Sequence, residues 1–473
     1  MVFSSIPFLF YFLPIFLVLY AFLPWKNLTL ACASVVFYIW GEGYFALILI
    51  GSVGFNFICG AVISSAPDHR RRQALAIGIA LNLAVLIAFK YSGFLAYDLF
   101  RLDPGLELPL PRLPVGISFF TFQAISYLID VYRREAQPAR SFLDLTTYIA
   151  MFPQLIAGPI VRYSTVARRL RSRSVSLRNL YFGVLYFAFG LAQKVLIADT
   201  MAGVADPIFA LPSESMSTAN AWAGSLAYTM QIYFDFAGYS NMAIGLGLVL
   251  GFKFPRNFNY PYISRSITEF WRRWHMSLSS WFRDYLYIPL GGNRLGPLKT
   301  YRNLFAVFFL CGLWHGAAWT FVAWGLYHGM LLTLERAGKA RLPFAIPALA
   351  SHVYLLLATV IGWVIFRSES FWQVAFILKA MAGLPHTTAL APNVESFVSH
   401  QALLTFLIAV PASLGIVEWL SGKVMVLPSR TIYDPGFMRV KTLVSLVVAL
   451  VLIALSALLV LSGSYSAFIY FRF

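Results

Sequence analysis

Long apolar runs separated by short basic blocks recur along the whole chain. Residues 7–25 and 443–461 carry no charged side chain, and about 20 consecutive apolar residues cross the hydrocarbon core of a bilayer as a helix. The pattern therefore predicts an all-α polytopic membrane protein. The predicted spans are 7–25, 28–46, 46–65, 73–91, 114–132, 179–198, 219–250, 303–335, 347–367, 401–421 and 442–463.

Two further apolar segments, 142–160 and 371–383, are short or interrupted by proline. Proline removes a helical hydrogen bond, and broken backbone at membrane depth is tolerated where it lines a cavity or is buried in protein. Pro153 and Pro159 in "FPQLIAGPI" fit that description. We expect both segments to be interfacial or re-entrant, and we expect one membrane domain over residues 1–473.

The charge balance is basic, and its distribution matters more than its size. The 473 residues are 59% hydrophobic and 12% charged, with a formal net charge of +17, whereas soluble domains are about a quarter charged. Lys and Arg are concentrated in the cytoplasmic loops of membrane proteins, so most of the positive charge needs no nucleic-acid partner to explain it. The same rule predicts that both termini lie outside. The basic blocks are 70–72, 133–140, 162–178, 253–302, 336–341 and 423–441.

Ionisable side chains within the spans are candidates for function, because charge at membrane depth is costly. Asp130 and Glu335 stand at span ends beside arginines, as ordinary boundary charges do. Lys194 is close enough to an outer end to reach the interface. Asp235 lies in mid-span, so a structural polar network and a site role both stay open. Its polar neighbours are Gln231, Tyr239, Ser240 and Asn241.

Residues 253–302 form the most basic segment, with nine Lys or Arg against two acids. Ser266 and Glu269 have capping-box spacing, and apolar residues then recur at helical spacing from Phe270 to Leu286, which predicts one amphipathic helix in the cytoplasmic interface. Its positive charge could bind either anionic lipid head groups or the phosphates of a nucleotide-like donor. On charge alone, lipid binding is the favoured interpretation. The donor-binding candidates are Arg272, Arg273, Arg283 and Asp284.

The three cysteines, Cys32, Cys59 and Cys311, all fall in apolar segments. Disulfide frameworks and zinc sites usually place their cysteines in loops at characteristic spacings. We therefore expect neither a disulfide nor a metal site.

Several long motifs resemble the membrane-bound O-acyltransferase (MBOAT) family, and within it the bacterial branch of alginate O-acetylation proteins. They cover nearly the whole chain, and together with the predicted spans the resemblance implies a ring of about eleven tilted helices, with re-entrant or interfacial helices, around a tunnel. The motifs are "PVGISFFTFQAISYLIDVYR", "FPQLIAGPIVRY", "QIYFDFAGYSNMAIG", "FWRRWHMSLSSWFRDYLYIPLGGNR", "GLWHGAAWTFVAWGLYHG" and "FIYFRF".

The resemblance implies that His315, in the "WHG" motif, is the catalytic residue. It places His275 near the cytoplasmic mouth, where it either positions the donor or moves protons. A neutral imidazole can act first as a base and then as an acid, which contributes about 10²–10⁴-fold to a rate. Trp314, Trp319 and Asn241 are candidate donors to the developing oxyanion, and we expect His328 to make a structural hydrogen bond.

Cys311 precedes His315 by four residues, so the two share one face if the stretch is helical. Such a pair could form an acyl-thioester intermediate. Buried cysteine is nevertheless a common packing residue, and packing is the favoured interpretation.

The branch implies that an acetyl group passes from a cytoplasmic thioester donor, acetyl-CoA, across the bacterial inner membrane. No tightly bound cofactor is implied. A periplasmic partner resembling SGNH hydrolases then acetylates an exopolysaccharide such as alginate. Two alternatives remain. One is D-alanyl-type transfer, whose membrane proteins share the fold and both histidines but take their acyl group from a carrier protein. The other is a transporter that uses the tunnel without chemistry.

Overall fold

The computed structural model describes most of the chain, which consists of helices joined by loops. Within that part it contains no strand, which confirms the all-α prediction. The described residues are 3–103, 108–339, 347–384, 391–421, 438–463 and 468. The rest of the terminal "FIYFRF" motif and most of the basic block 423–441 lie outside them.

Five helical stretches among the described residues are long and apolar enough to cross a membrane, and the protein is a multi-pass membrane protein. The prediction of repeated spans is thus confirmed in kind. These stretches are Lys26–Ser65, Asp68–Lys90, Leu177–Phe209, Ala348–Arg367 and Val440–Leu461.

The chain divides into two compact units. The first contains residues 1–187 and 242–255, and the second contains residues 188–241 and 256–473. The helices that begin in the first unit are α1 Leu13–Phe22, α2 Lys26–Glu42, α3 Ala46–Ser65, α4 Asp68–Lys90, α5 Ile117–Tyr132, α6 Phe142–Ala150, α7 Phe152–Leu155, α8 Tyr163–Arg171 and α9 Leu177–Ala192.

The remaining helices begin in the second unit. They are α10 Asp199–Phe209, α11 Thr218–Val249, α12 Ile267–Arg273, α13 Met276–Phe282, α14 Pro297–His315, α15 Trp319–Lys339, α16 Ala348–Arg367, α17 Phe371–Met381, α18 His400–Ser413, α19 Ile416–Ser421 and α20 Met438–Leu461. Short π-helical segments occupy Pro7–Phe12, Phe94–Leu99, Gln193–Ala198 and Arg283–Tyr287.

The predicted interruption in 142–160 is confirmed. Helix α6 ends at Ala150, and α7 is a single turn with Pro153 at its start. The hydroxyl of Ser141 caps α6 by accepting the backbone N–H of Asp144 at 3.1 Å. Proline suits the first turn of a helix, where its missing N–H would have had no partner.

The prediction of one span over 303–335 is wrong, because α14 and α15 form an antiparallel hairpin. Two glycines allow the close approach of the helices. A Cβ on Gly325 would come within 3.1 Å of the Gly312 Cα and would collide with the Phe308 carbonyl oxygen. Backbones can approach so closely only where small residues meet. The turn after α14 places His315 at a helix end.

The single amphipathic helix predicted after Ser266 is also wrong. Its N-cap is confirmed, since the Ser266 hydroxyl accepts the Glu269 N–H at 3.1 Å, but α12 ends at Arg273 and the chain turns at His275 before α13 begins. His275 has φ +44° and ψ +52°, a left-handed conformation that no helix can continue through.

Glu335 does more than mark the end of a span. Its carboxylate accepts the backbone N–H groups of Ile267 and Thr268, the second at 3.0 Å, and the Thr268 hydroxyl at 2.8 Å. The first N–H groups of a helix have no partner within the helix, and a carboxylate there is favoured by the helix dipole. The carboxylate therefore joins α15 to the start of α12.

Candidate active site

His315 is the last residue of α14 and lies among aromatic rings. It is 4% exposed, and its ring centroid is 4.9 Å from that of Trp314, 5.0 Å from Trp324 and 5.3 Å from Phe366. The aromatic side chains come from α14, α15 and α16. The imidazole is thus almost fully buried in an aromatic enclosure.

His275 occupies the turn between α12 and α13 and is fully buried. Its ring centroid lies 4.6 Å from that of Phe236 in α11, 6.0 Å from Trp314 and 6.4 Å from His315. The two histidines that the sequence singles out are therefore neighbours, although forty positions separate them in the chain.

Asn257 holds the His275 ring. The Asn257 Oδ1 lies 3.1 Å from the His275 Nδ1, while the His275 Nε2 has no hydrogen-bond partner among the described residues. Burial lowers the pKa of His275 to about 3, because removal from water disfavours the charged form. Near neutral pH this imidazole is uncharged.

Sequence reasoning missed Asn257. The residue lies in "RNFNYPY", two positions before a second asparagine, Asn259, and neither its spacing nor its neighbours distinguish it. Asn259 engages α12 only through its backbone, donating to the Arg273 carbonyl oxygen at 2.9 Å and accepting from the Arg273 guanidinium at 3.1 Å. Only the fold shows which asparagine meets the histidine.

The predicted structural hydrogen bond of His328 is confirmed. The Trp271 indole N–H donates to the His328 Nδ1 at 3.4 Å, and His328 is 1% exposed. Trp324 lies between the two sites, with its ring 5.1 Å from that of His328 and 5.0 Å from His315. Its indole N–H has no acceptor in the part of the chain that is described. Sequence reasoning also missed this donor.

The three predicted oxyanion donors have different surroundings. Trp314 is 4% exposed and lies against both histidines. Trp319 begins α15 and is 43% exposed. The Asn241 side-chain amide donates to the Gln193 Oε1 at 2.8 Å. Of the three, Trp314 alone combines burial with contact to both imidazoles.

Asp235 belongs to a buried ionic cluster. The Lys194 ammonium lies 3.0 Å from the Asp235 Oδ1 and 2.5 Å from the Asp199 Oδ1, and the side chains of these three residues are 3–5% exposed. The prediction that Lys194 reaches toward the interface is wrong, because two carboxylates hold its ammonium inside the protein. The attraction of the Lys194 ammonium offsets part of the desolvation cost of burying Asp235 and Asp199.

Cys311 lies one helical turn before His315 on α14 and is 3% exposed, so the two residues share a helix face as expected. Cys32, Cys59 and Cys311 are all free thiols. Over the described ranges, no group of three or more His, Cys, Asp or Glu side chains is placed to hold a metal ion.

The basic residues of α12 and the following segment differ in whether they form ion pairs with carboxylates. The Arg273 guanidinium pairs with the Glu269 carboxylate at 2.9 Å, and that of Arg283 pairs with adjacent Asp284 at 2.6 Å. Arg272 is exposed on the same short helix. These pairs leave Arg272 as the arginine of this group most available to an anionic ligand.

Comparison with known proteins places this pair of histidines in a family context. The model of the MBOAT, membrane-bound O-acyltransferase family, matches residues 129–366, a range that includes both histidines, Asn257 and Trp324.

Three relatives illustrate the similarity. A protein of Azotobacter vinelandii named "Probable alginate O-acetylase AlgI" is 41% identical over 100% of both chains. A protein of Pseudomonas aeruginosa with the same name is 48% identical over 80% of this chain and 74% of its own. The "Peptidoglycan O-acetyltransferase" of Helicobacter pylori is 34% identical over 100% of this chain and 98% of its own.

Proposed function

Because the chain belongs to the membrane-bound O-acyltransferase family and is an O-acyltransferase of the membrane, we propose that it transfers acetyl groups destined for an exopolysaccharide such as alginate. The donor is acetyl-CoA at the cytoplasmic face of the bacterial inner membrane. The acceptor is a periplasmic protein of the SGNH-hydrolase type, which passes the acetyl group to polysaccharide hydroxyls. The names of the relatives quoted above support this choice of chemistry.

The observation that carries the proposal is the pairing of His315 with His275, 6.4 Å apart between ring centroids, inside an aromatic enclosure. His315 acts as the general base. It takes the proton of the acceptor hydroxyl as the oxygen attacks the thioester carbonyl carbon, and it returns a proton to the CoA sulfur as the C–S bond breaks. One imidazole can perform both steps, because its ordinary pKa lies near neutrality.

The negative charge that develops on the carbonyl oxygen requires hydrogen-bond donors already in place. We assign this role to the Trp324 indole N–H, which is buried, lies beside the His315 ring and has no acceptor among the described residues. A donor in a site from which water is excluded stabilises an oxyanion far more than one in water does. The Trp314 indole is the second candidate on the same grounds of burial and proximity.

The aromatic walls also protect the thioester. His315 is 4% exposed and His275 fully buried, so bulk water does not compete with the acceptor hydroxyl for the activated carbonyl. Exclusion of competing hydrolysis is a recognised effect of closed active sites.

The nucleotide end of CoA carries phosphates, and the basic segment 253–302 supplies cations for them. Arg272 is exposed, and Arg273 and Arg283 could exchange their present carboxylate partners, Glu269 and Asp284, for phosphate. Arginine suits phosphate because its planar guanidinium group can donate two parallel hydrogen bonds to phosphate oxygens. The same segment faces the cytoplasm in our proposal, and both termini face the periplasm, as the distribution of basic loops predicts.

The test is a donor comparison with the purified protein in liposomes. We expect release of CoA from acetyl-CoA in the presence of the periplasmic partner, and loss of that release in His315→Ala. His352→Gln is the matched control, because His352 lies elsewhere in the fold, with its Nδ1 3.0 Å from the Ser264 carbonyl oxygen. Turnover only with a D-alanyl carrier protein would show that this carrier, and not acetyl-CoA, is the donor. Movement of solute without turnover of any thioester would refute the proposed acetyl transfer and favour transport through the tunnel.

A further inference from the structure

We propose that Asn257 is a positioning residue that fixes the tautomer of His275, so that Nδ1 carries the proton and Nε2 offers a bare lone pair to the substrate. The inference rests on the proposed function for what that lone pair does, but the tautomer itself follows from the hydrogen bonds of Asn257. It assigns His275 the role of hydrogen-bond acceptor and leaves base chemistry to His315.

The first step is the orientation of the Asn257 amide. The oxygen and nitrogen of an amide are distinguished by their hydrogen-bond partners. A backbone N–H can only donate, and that of Ser277 points to one end of the Asn257 amide at 3.2 Å. That end is therefore the oxygen, Oδ1. The Ser277 hydroxyl donates to the same atom at 2.8 Å, and the other end, Nδ2, donates to the Ser240 hydroxyl at 3.1 Å.

The second step assigns the proton of His275. Its Nδ1 lies 3.1 Å from this Oδ1, and an amide oxygen can only accept. Nδ1 must therefore be the protonated nitrogen. A neutral imidazole carries one N–H and one lone pair, so the lone pair belongs to Nε2. That atom is buried and has no donor among the described residues.

The third step is the backbone that holds this geometry. His275 adopts the left-handed conformation, which is uncommon outside glycine and costs free energy. The Asn257 carbonyl oxygen accepts the Met276 N–H at 2.9 Å. Asn257 thus holds the turn through its backbone and the ring through its side chain. The two donors of Ser277 fix Oδ1, and the Ser240 hydroxyl on α11 accepts from the amide nitrogen at the other end.

A buried acceptor that has no partner among the described residues calls for a ligand group. The chemistry that fits is an O–H or N–H donor: the hydroxyl of the acetyl acceptor, or an amide N–H of the pantetheine arm of CoA. Because His275 is a weak base in this environment, it orients the group by hydrogen bonding and does not take its proton. If His275→Gln raises the KM of only one of the two substrates, that substrate supplies the hydrogen-bond donor to Nε2.

The experiment is nitrogen-15 NMR of the full-length protein in lipid, labelled at histidine, with the His275 signals assigned by their absence in His275→Gln. We expect Nδ1 in the protonated range and Nε2 in the unprotonated range. His328 provides an internal contrast, since the Trp271 indole N–H donates to its Nδ1 and so places its proton on Nε2. His352, with a carbonyl oxygen at Nδ1, should resemble His275.

Three variants at this contact separate positioning from mere packing. Asn257→Asp keeps an acceptor and should keep the tautomer, while its charge makes His275 protonate at a higher pH than in the wild type. Asn257→Leu removes the acceptor, and the Nε2–H tautomer should appear. Ser240→Ala leaves the Asn257 Oδ1 in place, so it should change neither the tautomer of His275 nor the pH at which His275 is protonated. In serine proteases a wrong histidine tautomer lowers kcat about 10⁴-fold, and we expect at least a tenfold loss here in Asn257→Leu.

A protonated Nε2 in the wild-type protein would overturn the inference, and so would an unchanged tautomer in Asn257→Leu. If that variant does not fold, the wild-type spectrum and the titration of Asn257→Asp still decide the question. The proposed function can fail independently. A protein with the predicted tautomer but no acyl transfer from any donor would refute the function and leave the role of Asn257 at His275 intact.

Discussion

The imidazole rings of His275 and His315 lie 6.4 Å apart, centroid to centroid, and they reach that position by different means. His315 is carried by the end of a regular helix, at the turn of a hairpin. His275 is carried by a left-handed residue between two short helices.

The hairpin that presents His315 depends on glycine at its closest contact. Gly325→Ala should destabilise the protein by about 1–3 kcal/mol, the usual range for overpacking, because the new Cβ would collide with the Phe308 carbonyl oxygen. Thermal unfolding in detergent measures the change. Gly338→Ala on the same helix is the matched control, since no atom of the described residues lies within 4 Å of its Cβ position. There we expect no loss, and a gain of up to about 1 kcal/mol from helix propensity. Equal effects at the two glycines would refute the packing argument.

The ionic cluster of Lys194 should matter for stability. Lys194→Met removes the ammonium from between two buried carboxylates, and breaking a buried ion pair from one side typically costs about 3–5 kcal/mol. Unfolding by denaturing detergent is the measurement. Lys299→Met changes an exposed lysine and should be nearly neutral. If Lys194→Met unfolds no earlier than Lys299→Met, the cluster contributes nothing to stability.

Cys311 should be dispensable for chemistry. We expect Cys311→Ala to keep the wild-type kcat, because the base in our account is His315 and the acyl group passes directly to the acceptor. The thiol sits one turn away on the same helix, so the variant also tests the alternative. Loss of acyl transfer in a folded Cys311→Ala protein, together with loss of a labelled acyl-enzyme, would establish a covalent intermediate on the cysteine.

The pH dependence should separate the two histidines. The ordinary histidine pKa of about 6.5 is lowered at His275 to about 3, so His275 becomes charged only when the pH falls toward 3. It therefore contributes no titration between pH 5 and 8. In the His275→Gln variant, the acidic limb of the kcat/KM profile should keep its wild-type midpoint. A midpoint displaced by this substitution would show that His275 titrates in the working range.

Much of the fold and of the candidate site can be predicted from the sequence, for physical reasons. Apolar runs report directly on helices in a membrane, so the helical class and most helix positions are predictable, including the break near Pro153. His315 and His275 stand in long motifs, and the structure brings them together. The N-cap at Ser266 is a local signal, and it too is confirmed.

What the sequence did not reveal depends on contacts between distant residues. The turn at His275 is held by Asn257, eighteen positions away, and periodicity alone continues the helix through it. The hairpin depends on Gly312 meeting Gly325, which is visible only once the two helices pack. The prediction for Lys194 is wrong because the distance to a span end says nothing about the carboxylates of Asp199 and Asp235, which bind its ammonium.

The most direct test of the central claim is single-turnover acyl transfer from acetyl-CoA by His315→Ala, measured beside the wild type and His352→Gln in the same lipid. The account predicts that His315→Ala loses about 10²–10⁴-fold in rate, the contribution expected of a general base, while it binds acetyl-CoA as the wild type does, and that His352→Gln keeps its rate. A folded His315→Ala protein that transfers acetyl groups at the wild-type rate would contradict it.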